Sequence, residues 1–152
     1  MGLEQDIRQE NFESEHHKAA INILFTSSWL YHLQAMHLKP FDVTPEQFNV
    51  LRILRGSHPK ALMLADITSR MLDKSSNATR LVEKLRQKGM VNRTVCESNR
   101  RQVDIHITTK GLRVLEQIDK DSSGWMNRLK GISPQEAADL NRMLDKLRAG
   151  AN

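Results

Sequence analysis

One cysteine, Cys96, stands alone among 152 residues, which excludes an intramolecular disulfide. No stretch approaches the roughly 18 consecutive apolar residues of a membrane span. The first residues, MGLEQDIRQE, carry charge where a secretory signal would carry an apolar run. These absences predict a cytoplasmic protein without a bilayer partner. The six histidines, His16, His17, His32, His37, His58 and His106, form no His-x-x-x-His pair, and a single cysteine forms no Cys-x-x-Cys, so neither a local metal site nor a cofactor is signalled. The seven glycines lie at element ends and build no phosphate-cradling loop. With no nucleophile and base set and no paired carboxylates, the chain does not read as an enzyme. Internal repeats and low-complexity tracts are missing too. A lone thiol at the end of a strand, with no resolving partner in the chain, reads as structural more than redox-sensing.

What is present is a chain long enough to bury one core without metal or disulfide staples, so one domain over residues 1–152 is expected. Its net charge of +5 is unevenly spread. From Thr44 to Gly111 there are 13 Lys or Arg against 6 Asp or Glu, while the rest carries 10 against 12. A basic middle flanked by near-neutral ends suits a module that neutralises a polyanion, with a solvated basic face as the alternative.

From about Ile7 to Leu38 there is no Pro or Gly, and Ile21, Phe25, Trp29, Leu33 and Met36 recur at helical spacing. One long amphipathic helix is predicted there. Ala20, Ile23, Leu24 and Leu30 add a second apolar strip, wider than a domain of this size covers, which points to a second subunit or to the C-terminal helices. Thr44-Pro45-Glu46-Gln47 then offers an N-cap, a Pro at the first helical position and a capping-box Gln, so a helix should begin there and run through Phe48, Leu51 and Leu54 to Gly56.

Two short helices are predicted next. One spans about Leu62 to Leu72 with Leu64, Ile67 and Met71 on one face. The other spans about Ser75 to Lys88 with Ala78, Leu81, Val82 and Leu85 on one face, closed by Gly89 as a C′ residue. Only Asp73-Lys74-Ser75 separates them, which is a helix-turn-helix connection. Val91 to Val95 and Val103 to Ile107 read as the strands of a hairpin with a polar, basic tip at residues 97–102; alternation sends Val103, Ile105 and Ile107 inward and Asp104 and His106 outward. A helix carrying Leu112, Leu115 and Ile118 continues toward Leu129. After Gly131-Ile132, a second capping box, Ser133-Pro134-Gln135-Glu136, opens a last helix with Ala137, Leu140, Met143, Leu144 and Leu147.

Helix, tight turn, helix and basic hairpin make a winged helix. With its apolar face packed, the fourth helix projects Ser76, Asn77, Arg80, Glu83, Lys84 and Gln87 outward, a face that can enter a major groove. The candidate DNA contacts on this element are Ser75, Ser76, Asn77, Thr79, Arg80 and Lys84. On the hairpin they are Asn99, Arg100 and Arg101, two guanidinium groups suited to a narrow minor groove.

The run from Asp73 through Leu85, ending in Lys88-Gly89-Met90-Val91, resembles the recognition-helix region of MarR-family regulators. The run Asn99-Arg100-Arg101, followed after five residues by Ile107-Thr108-Thr109-Lys110-Gly111, resembles that family's wing. The resemblance extends from about Ile7 to Leu147. It implies a mainly α (α+β) fold in which a winged-helix DNA-binding lobe, residues 44–111, is flanked by dimerisation helices at 7–38 and 112–149.

It also implies a homodimeric, sequence-specific regulator of double-stranded DNA, expected to be a repressor on a pseudo-palindromic operator, with the N- and C-terminal helices intertwined and Arg101 as the wing arginine. The family pattern has Asp where Asn99 stands, which removes the acid that would brace that arginine. A small aromatic or phenolic effector is a further implied partner. Trp29, His32, Leu33, His37, Phe48 and Leu51 are the candidates for lining its cleft, each with core or interface packing as the plainer role. An architectural or protein-contacting winged helix without effector response is the competing function.

Overall fold

The structure, a computed structural model, describes residues 2–121 and 124–151. Its elements in chain order are α1 (Leu3–Ile7), α2 (Glu15–Leu38), a 3-10 turn (Lys39–Phe41), α3 (Pro45–Ser57), β1 (Leu62–Met63), α4 (Leu64–Arg70), α5 (Ala78–Gln87), β2 (Val91–Cys96), β3 (Asn99–Ile107), α6 (Thr109–Lys120), a second 3-10 turn (Trp125–Leu129) and α7 (Pro134–Ala149). Two compact units divide the chain, Met1–Lys120 and Asp121–Asn152.

In the first unit, α3 starts where the sequence says it should. Thr44 Oγ1 accepts from the Gln47 N–H and Gln47 Oε1 accepts from the Thr44 N–H, each at 3.2 Å, a reciprocal box that satisfies two donors left open by helix geometry. Phe48, Val50, Leu51 and Leu54 then face inward and join Ile67, Val82, Leu85, Val91, Ile105 and Leu115 in one buried cluster. The sheet has the order β1-β3-β2, antiparallel throughout, with Leu62 opposite Ile105 and Val91 opposite Ile107. Ile105 and Ile107 are buried as the alternation requires.

Several element boundaries differ from those the sequence predicts, among them the end of α6, which stops at Lys120 where continuation toward Leu129 is expected. The expected helix from Ile7 to Leu38 is two pieces. Arg8 takes a left-handed conformation, φ 54°, after α1, and α2 begins only at Glu15, where Ser14 Oγ accepts from the His17 N–H. A run free of Pro and Gly permits a helix without compelling one, and the Ser14 cap supplies a competing start. Leu62 and Met63 belong to a strand, because pairing with Ile105 and Asp104 outweighs their helical spacing. Asp66 Oδ2 accepting from the Met63 N–H then marks the start of α4. Finally, α5 starts at Ala78, three residues later than the expected Ser75.

Helix α2 leaves most of its apolar side chains uncovered. Of its 24 residues only Leu33 and Leu38 are buried, while Leu24 is 71% and Met36 69% exposed. Short α1 turns back beside it, with Leu3 buried and Glu4 paired to Lys18.

The second unit is shorter. Ser133 and Glu136 form the second expected capping box at the start of α7, with Ser133 Oγ accepting from the Glu136 N–H at 3.1 Å and Glu136 Oε2 accepting from the Ser133 N–H at 2.7 Å. Leu140, Met143 and Leu147 on α7 are exposed.

Candidate nucleic-acid interface

The turn before α5 is built from its own polar residues. Asp73 Oδ1 accepts from the Ser75 N–H at 2.9 Å and from the Ser75 hydroxyl at 2.6 Å, and these hydrogen bonds hold its carboxyl below the usual carboxylate range. The Leu72 N–H donates to Asn49 Oδ1 on α3 at 2.9 Å, so the turn is pinned to the core as well. Ser75 and Ser76, expected on the recognition helix, therefore sit in the turn ahead of it. Asn77 is its N-cap, with Oδ1 accepting from the Arg80 N–H at 3.1 Å.

Ala78, Val82 and Leu85 anchor α5 in the core, which leaves Thr79, Arg80, Lys84 and Gln87 exposed. The one acid on this face, Glu83, is engaged by the protein itself. Arg86 holds it with two hydrogen bonds of 2.9 and 2.7 Å, and Arg93 on β2 stands 3.8 Å away. The Arg86 hydrogen bonds, with the positive charges of Arg86 and Arg93, keep the Glu83 carboxyl below its ordinary range, so it stays ionised and internally neutralised. Among the described residues, Arg80 and Lys84 form no ion pair. The exposed positive charge of this helix is thus concentrated on these two side chains.

The far end of α5 is clamped. Gly89 adopts φ 73°, the left-handed closure expected of a C′ glycine. Thr108 Oγ1 donates to the Gly89 carbonyl and Lys110 Nζ to the Lys88 carbonyl, both at 2.7 Å. A Cβ at Gly111 would stand 2.5 Å from the Met90 carbonyl oxygen, so only glycine lets α6 approach this closely. The run Thr108-Thr109-Lys110-Gly111, which resembles part of the wing signature, thus braces the recognition helix from behind. Its spacing resembles a motif, but the partners lie about 20 residues away in sequence, and no local pattern names them.

The hairpin tip is narrower than expected. Glu97 and Ser98 alone make the turn, and Asn99, Arg100 and Arg101 belong to β3. Val95 pairs with Val103 but Cys96 pairs with Asn99, so Arg100, Arg101 and Gln102 have no counterparts on β2 and bulge. Asn99 Oδ1 accepts from the backbone N–H of Arg101 at 3.1 Å. The amide braces the backbone under that arginine, and among the described residues the guanidinium is unpaired; Asn serves this backbone task as well as Asp. Arg100 and Arg101 are exposed. Cys96 is partly covered, and the Ser98 hydroxyl 3.1 Å away, with the backbone N–H groups of Ser98 and Asn99, lowers its thiol below the ordinary value.

Wing and helix share a cleft of about 290 Å³, bordered by Leu64, Thr79, Val82, Arg93, Arg101 and Val103. Arg101 therefore flanks the first turn of α5, the end whose open amides favour a phosphate.

The six residues considered for an effector cleft do not form one surface. Leu51 and Phe48 lie in the core and Leu33 is buried, while Trp29 and His32 are exposed. His37 stacks edge-on against Phe41, ring centroids 6.1 Å apart. Trp29 instead borders a shallow cleft with Leu3, Asp6, Asn22, Phe25 and Thr26. Core packing accounts for Leu51, which has no exposed surface, and for most of Phe48, which is 9% exposed. Among the described residues no group of three or more His, Cys, Asp or Glu is placed to hold a metal, and no helix is long and apolar enough to cross a membrane.

Residues 43–103 match the model of the MarR family. The chain is 32% identical over 109 residues to the uncharacterized HTH-type transcriptional regulator YkoM of Bacillus subtilis, covering 71% of this chain and 70% of that protein. Its fold is similar to a mutant MarR from E. coli complexed with operator DNA, with a TM-score of 0.77 at 23% identity over 91% of this chain and 99% of the other. It is also similar to the organohalide-sensing RdhR transcriptional regulator in its 2,4-dichlorophenol-bound form, with a TM-score of 0.81 at 18% identity over 93% and 86% of the two chains.

Proposed function

The chain belongs to the MarR family of DNA-binding transcriptional regulators, and from that premise we propose that it acts as a homodimer on a pseudo-palindromic operator, repressing until a small effector releases it. Each subunit places α5 in a major groove and its wing in the flanking minor groove. The observation that carries this reading is the set of cations Arg80, Lys84, Arg100 and Arg101, unpaired among the described residues, on two elements that border one cleft, with the neighbouring acid Glu83 already neutralised. Thr79, Arg80 and Lys84, with Asn77 at the helix start, are the groove-facing contacts, while Ser75 and Ser76 meet the backbone at the turn. In the wing, Asn99 holds the chain that presents Arg100 and Arg101.

Self-association accounts for the exposed apolar side chains on α2 and for those on α7, each taken by itself, since uncovered apolar patches mark interfaces. For the effector, the dichlorophenol-bound RdhR motivates a phenolic or other small aromatic ligand, and Trp29, His32 and His37 along α2 are its remaining contact candidates. A regulator of this kind works in the cytoplasm and turns over no substrate.

The deciding experiment is selection of bound duplexes from a random pool, followed by titration of the enriched and a scrambled duplex at physiological salt. An inverted repeat with half-sites about 34 to 36 Å apart, bound at least about a thousandfold better than the scramble, is expected. Equal binding to both duplexes would instead establish an architectural, sequence-independent binder.

A further inference from the structure

Lys88 closes α5, at the helix end where a cation is favoured by the carbonyl dipoles. Its ammonium reaches a different element. Nζ donates to the Asp42 carbonyl at 2.5 Å and to Gln47 Oε1 at 3.1 Å, with the Asp42 carboxylate 3.6 Å away. These acceptors all belong to the corner that joins α2 to α3. That corner is firm: Leu38 and Val43 are buried, and α2 passes without interruption into the 3-10 turn Lys39–Phe41. Gln47 is itself only 7% exposed, and the oxygen it offers Lys88 also closes the capping box of α3. On its other side, the Lys88 carbonyl accepts from Lys110 Nζ on α6.

The four cations assigned to DNA are exposed and unpaired among the described residues, whereas the Lys88 side chain is 26% exposed and faces three oxygens. Its charge is committed inside the protein. Core packing of Val82 and Leu85 fixes where α5 lies, and the Lys88 contacts add a directional constraint at its last residue.

We propose that Lys88 is a positioning residue, which sets the angle of the recognition helix against the α2–α3 corner and makes no contact with DNA. A shift of α2 then reaches the DNA-reading face through this ammonium as well as through the shared core. The inference rests on the reading of α5 as a groove-binding helix.

The test uses the full chain and an enriched duplex, together with versions whose half-site spacing is longer or shorter by a single base pair. Lys88→Met, shown by circular dichroism to be folded, should bind about tenfold more weakly, within the range by which non-contacting residues alter coupling. The slope of log affinity against log salt should match wild type, and the preference among spacings should flatten. A slope shallower by about 0.9, the value for one phosphate that is no longer neutralised, would make Lys88 a phosphate ligand and overturn the proposal. Native affinity and native spacing preference in the folded variant would overturn it too. If Lys88→Met does not fold, Gln47→Met, which removes one acceptor and keeps the charge, carries the same expectations. A wild-type chain that binds no duplex at all would reject the DNA reading itself, and this inference with it, a result distinct from the other outcomes.

Discussion

The winged lobe and helix α2 are made from the same apolar residue types and end in opposite states. In the lobe, Leu51, Ile67, Leu85, Val91 and Leu115 have no exposed surface, and helices α3 to α6 close over the sheet with Leu38 at the end of α2 as part of the same core. In α2, Leu24 and Met36 are about 70% exposed, and Phe25 and Trp29 remain open as well. Periodicity in a sequence reports that a face is apolar; it does not report what covers that face. The lobe carries the reason for its own folding, while most of the apolar face of α2 finds no cover within the first unit.

The sharpest way to break this contrast is a cavity on the lobe side. Leu85→Ala removes a fully buried side chain from the rear of the recognition helix and should cost about 2–5 kcal/mol in chemical denaturation, with DNA binding lost in proportion to the unfolded fraction. A cost well below 1 kcal/mol would mean that α5 is not anchored as described. On α2, the matching change is Leu24→Glu. At a side chain 71% exposed it should leave the unfolding free energy of the isolated subunit within about 0.5 kcal/mol of wild type. Burial of a charge in the interface should nevertheless weaken self-association roughly ten- to a hundredfold by sedimentation. An unaltered dimer would move the interface elsewhere.

Within the lobe, the wing sharpens the distinction between packed and unpartnered charge. Arg101→Ala removes a guanidinium with no protein partner among the described residues, so stability should hold while DNA affinity falls about tenfold. The salt slope should flatten by about 0.9 for each phosphate that the alanine variant leaves unneutralised. Unchanged affinity and slope would place the wing away from DNA.

What the sequence disclosed follows the range of the forces involved. Both capping boxes and the Gly89 closure were legible because each is settled within four residues. Strand β1 was not, since two residues become a strand only by pairing with Ile105 and Asp104, some 40 positions on. The wing arginines were found by composition, yet their bulged placement depends on the register between Val95 and Val103. The start of α5 lies later than its sequence suggests for a different reason. Asp73, Ser75, Ser76 and Asn77 are all good N-caps, and only the Asp73–Ser75 turn, pinned through Leu72 to Asn49, selects the last of them. The Lys88 contacts to Asp42 and Gln47, more than 40 residues distant, left no local trace at all.

Asn77 is where stability and base reading meet, and its substitution gives the smallest and most discriminating effect. On sequence grounds, Asn77→Ala should change the preference among DNA sites. The structure ties its oxygen to the Arg80 N–H, so the same substitution should first remove a cap and lower lobe stability by about 1 kcal/mol. Asn77→Asp separates the two roles. A carboxylate keeps the cap and suits the positive end of the helix, so the melting temperature should be retained or raised. The same carboxylate replaces the amide donors and brings negative charge toward the phosphates, so DNA affinity should fall. A loss of stability in the alanine variant only assigns the oxygen to the helix, and a loss of affinity in both variants, beyond what the unfolded fraction accounts for, assigns the amide nitrogen to DNA. Native stability in the alanine variant combined with altered site preference would instead return Asn77 wholly to base recognition.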